Sequence, residues 1–421
     1  MKTERMRWMG VLVLFVIVAI SYVDRINIAV LIIDPAFLAH MGMARGDRAS
    51  QGLLATAFMV GYGLSAVVLT PFFFELLGVR KSLVAGLCTW GVVTWLTPQL
   101  QNYDALLASR ALLGLAEGPL FSLAGAFVKA SFASHENGKP NAIVNMGTGV
   151  GLGLGFPLVS HALGAYDWET SFHLIGALNL VVGVPLVLLF LHMPPGPASP
   201  RGSMGNALGR VRQNVLGALQ TRHLLLVTVL TSAFLGFLWG SSNWLPAYLK
   251  EVRGFSLREM GWMASLPQYT MVLAVFLGGA LIDRLERRQV PLIFVGGSLG
   301  VGLCILLAIL APTRELAALG LIAANFFWGL QSPAIPSTAQ HYSAPGHTAS
   351  AFGVVNGVGS LVAGFMPALM GLLIGGQGAG PQSAAEVASG FTLGFSTLIG
   401  TQVLVLLCGA WLWRCGRASA H

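Results

Sequence analysis

Four ionisable residues stand inside stretches otherwise as apolar as lipid. "SYVDRINIAV", residues 21–30, sets Asp24 beside Arg25, and "SRALLGLAEGPLF" holds Arg110 and Glu117 seven positions apart. An ionisable group within a membrane span is costly, so it marks function and needs a partner. Seven residues make two helical turns, which puts Arg110 and Glu117 on one face about 10 Å apart along the axis. Guanidinium groups suit a carboxylate because they offer paired hydrogen bonds, and acids in a low-dielectric setting exchange protons near neutral pH. Two of each describe a cavity that binds an organic anion and a proton together. The plainer alternative is a static set of ion pairs that fixes helix packing.

The elements that hold these residues follow from composition. Of 421 residues, 55% are apolar and 10% charged, and the mean hydropathy is +0.73. A bilayer core about 30 Å thick takes roughly 20 apolar residues per helix. The sequence therefore predicts an all-α polytopic membrane protein with twelve transmembrane helices, at 8–33, 51–74, 82–100, 105–130, 141–164 and 171–193, then 222–249, 259–282, 290–311, 315–341, 347–374 and 390–413. The long connection between the sixth and seventh, which opens "MPPGPASPRGSMGN", reads as a flexible linker carrying one short amphipathic helix. The expected organisation is a six-helix bundle over 1–193, a linker over 194–221 and a second six-helix bundle over 222–421.

The N-terminal "MKTERMRW" precedes an apolar run without a small-residue cleavage site, so a retained first helix is expected. With twelve spans and both termini on one side, that side collects sixteen of the 24 Lys and Arg residues; the other side has six, and Arg25 and Arg110 lie within spans. The positive-inside rule then predicts cytoplasmic termini, so the net charge of +8 is a topology signal and not a nucleic-acid surface. The four cysteines lack metal-ligand spacing, and neither a disulfide nor a zinc site is expected. No Asn-x-Ser/Thr sequon and no large loop occur, which favours a bacterial inner membrane.

The loop after the second span, "FFFELLGVRKS", has a counterpart after the eighth, "GGALIDRLERRQ". Glu75 and Asp283 lie 208 positions apart, near half the chain length, and each precedes a basic cluster. Two parallel six-helix repeats produce such a pattern. On these motifs the sequence resembles the major facilitator superfamily over essentially its whole length. The resemblance implies the major facilitator fold and a gating role for Glu75, Arg80, Asp283 and Arg284 at the cytoplasmic ends of the bundles. The second copy matches the family pattern well; the first lacks the preceding glycines and has Leu76 where Arg is common. A plain positive-inside loop is the alternative.

"YVDRINIAV", "SRALLGLAEGP" and "SSNWLPAYLK" are similar to the first, fourth and seventh helices of one branch, the anion:cation symporters. That branch includes bacterial sugar-acid carriers and the animal vesicular glutamate and sialic acid carriers. By resemblance Tyr22, Arg25 and Arg110 contact the substrate, with Tyr62 of the second span grouped with them, and Asp24 and Glu117 carry protons. The implied function is proton-coupled symport of a small organic anion such as a hexonate, hexuronate or aldarate, by a monomer, with sodium as the alternative coupling ion. Rival readings are a carrier or exchanger of aromatic or simple carboxylates, an exporter of drugs or other cations, and a non-transporting receptor or scaffold. The exporter would want unpaired acids, and the scaffold larger loops.

The spans of the second half carry neutral polar residues and no charge. Gln331 and Asn356 are the expected contacts for substrate hydroxyls; amide glue between helices is the alternative. The glycine run "NMGTGVGLGLGFP" has neither the preceding strand nor the Lys-Ser or Lys-Thr of a phosphate loop, so close helix packing is expected. Trp239, Trp244 and Trp328 can stack on a substrate or simply pack. No catalytic constellation, metal spacing or nucleotide loop appears, so neither an enzyme nor a cofactor is expected.

Overall fold

The computed structural model describes residues 2–133, 136, 138–193, 209, 212, 216, 219, 223–342, 348–375 and 383–418. Within them the chain is helical, with no strand. An apolar chain in lipid must satisfy every peptide group internally, and a helix does so within one segment. The first half contains α1 (Lys2–Leu31), α2 (Pro35–His40), α3 (Arg48–Leu64), α4 (Thr70–Leu96), α5 (Tyr103–Glu117), α6 (Leu120–Ser131), α7 (Gly138–Ala165), α8 (Trp168–Ala177) and α9 (Val184–Phe190). The second contains α10 (Leu224–Ala247), α11 (Leu257–Arg284), α12 (Pro291–Leu310), α13 (Arg314–Gln331), α14 (Ala334–Tyr342), α15 (Thr348–Ala363), α16 (Met366–Gly375) and α17 (Ala384–Ala418).

Among the described residues, 11 helices are long and apolar enough to cross a membrane. The expected second span runs through α3, a π turn at Ser65–Leu69 and the start of α4. It ends at Gly78, whose φ of 71° and ψ of 171° let the chain turn before the third span. The polytopic all-α reading therefore stands.

Two spans are broken beside the residues of interest. The fourth divides into α5 and α6 at Gly118–Pro119, directly after Glu117, and the tenth into α13 and α14 at Ser332–Pro333, directly after Gln331. Proline lacks an N–H, so the carbonyl four residues earlier loses its helical donor. For Pro119 that carbonyl is Leu115's, and the Ser65 hydroxyl donates to it at 2.6 Å. A break at membrane depth is tolerated when a neighbouring side chain supplies such a partner.

The chain forms two compact units: Met1–Gly42 with Ala57–Gln213, and Met43–Thr56 with Asn214–His421. In the first, α7 packs against α1 through the glycine run. A Cβ at Gly151 would sit 2.3 Å from the Ala19 carbonyl oxygen, and one at Gly147 would sit 2.6 Å from that of Phe15. The run is a packing seam. A second seam joins α3 to α5, where a Cβ at Gly114 would meet the Phe58 carbonyl oxygen at 2.0 Å.

Residues 43–56 belong to the second unit for a comparable reason. A Cβ at Gly52 would lie 2.3 Å from the Pro367 carbonyl oxygen, and one at Gly371 would lie 2.3 Å from that of Arg48. Arg48, one of the six basic residues counted on the outer side, is buried at the start of α3. Its guanidinium pairs with Glu251 and donates to Gln51 Oε1 at 3.1 Å.

These contacts predict that Gly151→Val lowers the melting temperature of the purified protein, by an overpacking cost of about 1–3 kcal/mol. Gly125→Val, where a Cβ meets nothing within 4 Å, should leave it nearly unchanged. At the start of α8, outside the spans, the Thr170 hydroxyl and backbone N–H donate to Asp167 Oδ1 at 2.6 and 2.7 Å. These bonds hold the Asp167 carboxyl below its ordinary 3.8. A lowered folded-state value stabilises above the unfolded value and is lost as pH falls through the folded one. The melting temperature of Asp167→Ala should therefore trail the parent at pH 7 and converge with it below pH ~4.

Candidate functional site

The four charges pair crosswise between α1 and α5. Arg25 Nε donates to Glu117 Oε2 at 2.9 Å, with side chains 2% and 0% exposed. Arg110 Nη1 lies 3.9 Å from Asp24 Oδ1, and these side chains are equally buried. Successive residues on a helix point about 100° apart. Asp24 and Arg25 therefore cannot share one partner, and they meet the two levels of α5 that Arg110 and Glu117 occupy. Each buried charge gains an opposite charge, which is the condition for burying any of them.

Aromatic rings frame the arginines. The Arg25 guanidinium carbon lies 4.3 Å from the ring centre of Tyr22, 4.6 Å from that of Tyr62 and 5.2 Å from that of Phe58. Arg110 lies 5.1 Å from the Phe58 ring. Phe58 and Tyr62 are one turn apart on α3, which the Gly114 seam brings against α5. Ring faces attract a cation without neutralising it, so the rings position Arg25 while its charge is met by Glu117.

One oxygen of each acid has unused capacity. Asp24 Oδ1 and Glu117 Oε1 accept no hydrogen bond among the described residues. A buried polar atom without a partner is uncommon, and each of these oxygens keeps lone pairs that can accept a further hydrogen bond.

Residues 14–367 match the family model described as the Major Facilitator Superfamily. The chain belongs to that superfamily. It is therefore a transporter and not an enzyme. It is 29% identical over 393 residues to a probable sulfoacetate transporter of Cupriavidus necator, covering 90% of this chain and 89% of that one. It is 24% identical over 412 residues to a D-galactonate transporter of Escherichia coli O6:H1, covering 90% and 92%. Among solved structures, a D-xylose-proton symporter aligns with a TM-score of 0.76 at 14% identity, covering 96% and 97% of the two chains; this likeness is one of fold.

Within this superfamily member the six residues singled out from the first half, Tyr22, Asp24, Arg25, Tyr62, Arg110 and Glu117, come together in the first compact unit. Gln331 and Asn356 lie in the second. Gln331 is fully buried, accepts from the Ser298 hydroxyl at 3.3 Å and donates to the Phe327 carbonyl at 3.2 Å, so its amide ties α13 to α12. Asn356 is half-buried on α15. Arg80 donates to the Leu188 carbonyl. Asp283 and Arg284 are exposed at the end of α11 and enter no ion pair among the described residues; the Glu75 side chain lies outside them. Two of the tryptophans are packing groups: Trp244 Nε1 donates to Pro367 at 3.0 Å, and Trp328 Nε1 donates to Phe234 at 2.8 Å while stacking on its ring.

Sequence reasoning did not find Phe58 or Thr94, whose hydroxyl donates to Asp24 Oδ2 at 2.6 Å. Neither carries a charge, and in an apolar run a lone Phe or Thr gives no signal. The Arg48–Glu251 pair was missed because both residues sit at span ends, where charges are ordinary.

Removing one partner of a buried pair strands the other. Glu117→Ala should destabilise the protein by about 3–5 kcal/mol, and Arg25→Met combined with Glu117→Ala should be less destabilised than the two single changes added together. Thermal unfolding of the four proteins in one detergent closes that cycle; additivity would mean the pair is not coupled.

Proposed function

We propose that this transporter is a proton-coupled symporter of a small organic anion, a sugar acid or a related carboxylate or sulfonate. The crossed burial of Arg25–Glu117 and Arg110–Asp24 carries this reading. Arg25 and Arg110 bind the anionic group, Tyr22 and Tyr62 frame it, and Asp24 and Glu117 carry protons. The named substrates of the two relatives, sulfoacetate and D-galactonate, support it, since both are anions that an arginine can hold through paired hydrogen bonds.

The mechanism follows from neutralisation. In the empty site each arginine is balanced by an acid. An incoming anion takes an arginine, and the acid it leaves becomes a buried charge without a partner until it binds a proton. Anion and proton then favour each other reciprocally. The loaded site is neutral and can be re-exposed on the other side of the membrane without carrying an uncompensated charge through it. Gln331 and Asn356 of the second half are the proposed partners for a substrate hydroxyl, and the loops with Glu75, Arg80, Asp283 and Arg284 are the proposed gating latches. On the positive-inside count the termini are cytoplasmic, the bundles span 1–193 and 222–421, and the protein works as a monomer in a bacterial cytoplasmic membrane.

The test is uptake into proteoliposomes under an imposed inward proton gradient, with labelled sulfoacetate, D-galactonate, an aldarate, a hexuronate and an aromatic carboxylate. The expected result is gradient-dependent accumulation of one class, abolished by Arg25→Ala or Arg110→Ala. Glu117→Gln should lose accumulation but keep exchange of internal for external substrate. Accumulation driven by sodium alone would replace the proton, and exchange without accumulation in the parent would sink the symport reading.

A further inference from the structure

The two acids of the cluster are held unequally. Glu117 receives a charged N–H at 2.9 Å. Asp24 has its arginine at 3.9 Å, outside hydrogen-bond reach. Its hydrogen bond among the described residues comes from an uncharged group, the Thr94 hydroxyl at 2.6 Å. Thr94 is 2% exposed and Asp24 fully buried.

Thr94 also behaves unlike the threonines beside it. Thr89 on α4 and Thr97 just past its end turn their hydroxyls back onto the carbonyls four residues earlier, Ala85 and Val93, at 2.9 and 2.8 Å. That is the ordinary resting place of a helical threonine. Thr94 instead reaches across to α1. The charged groups around Asp24 are Arg110 and Glu117 from α5 and Arg25 from its own helix. From α7, packed along α1, Lys139 and His161 are both exposed, and on α8 His173 lies against the Trp95 ring, 4.8 Å between centres.

We propose that Thr94 is the positioning residue of the Asp24 proton site, holding the carboxyl in one orientation in both of its protonation states. This rests on the reading of Asp24 as a proton carrier. A hydroxyl has one hydrogen to give and two lone pairs. It donates to Asp24 when the acid is ionised, and accepts from it when the acid is protonated, by rotation of one O–H bond. Arg110 can only donate. A proton can therefore enter and leave Asp24 without the carboxyl swinging away from Arg110, and the arginine remains aligned for the incoming anion.

The experiment needs no substrate. The purified full chain in lipid is stepped through pH, and infrared difference spectra identify the Asp24 carboxyl band as the one lost in Asp24→Asn. Thr94→Val and Thr94→Ala should move that band to higher frequency, because the acid loses its hydrogen-bond partner. They should also displace its titration midpoint by about one pH unit, the difference between a buried hydrogen bond to the ionised acid and the weaker one to the neutral acid. Thr94→Ser should restore both. An Asp24 band with unchanged frequency and midpoint in Thr94→Val and Thr94→Ala would overturn the proposal, as would failure of a folded Thr94→Ser to restore them. The symport reading stands or falls separately, on gradient-driven accumulation by the parent protein; a parent that accumulates substrate while Thr94 variants leave the band untouched refutes Thr94 alone.

Discussion

Everything in the first compact unit turns on the cost of holding four charges away from water. No one of Asp24, Arg25, Arg110 and Glu117 can be buried alone, so each helix position that presents one must be matched by a position that presents its opposite. The match is geometric: two adjacent residues on α1, splayed by the helical turn, against two residues a double turn apart on α5. The close backbone approach of α3 to α5 at Gly114 then places Phe58 and Tyr62 against the guanidinium groups. Had that seam been lined by larger side chains, the rings would stand away from the arginines.

The same neutralisation is what the proposed symport draws on. On that proposal, an anion that replaces the acid at an arginine meets a group already desolvated, and the displaced acid, costly to leave charged, takes up a proton. The break at Gly118–Pro119 lies immediately beyond Glu117, where the Ser65 hydroxyl takes over the carbonyl that the proline leaves without a donor. The acid thus sits at the end of a helical segment, next to backbone that a single side-chain bond holds in place.

The second compact unit works differently. Its spans carry amides where the first carries charges, and the amide of Gln331 is already spent on Ser298 and Phe327. Its buried ion pair, Arg48 with Glu251, joins residues 43–56 to the π turn Tyr248–Val252 that follows α10, and glycines let the backbones of 43–56 and α16 touch.

Much was legible from sequence because membrane physics acts on composition one segment at a time. Apolar length determined the spans, the price of a buried charge singled out Asp24, Arg25, Arg110 and Glu117, and the absence of strand and lysine signals separated the glycine run from a phosphate loop. Pairing was another matter. Which acid met which arginine, whether Gln331 bonded a neighbouring helix, and why 43–56 joins the second unit all depend on the rotation and separation of helices distant in the chain. Thr94 is the sharpest case, since nothing in "WGVVTWL" tells whether its hydroxyl bonds its own helix or the next. Local sequence determines which groups are too costly to leave unpaired; only the packed helices decide which atoms settle that cost, because hydrogen bonds are made across a few ångströms that no segment specifies by itself.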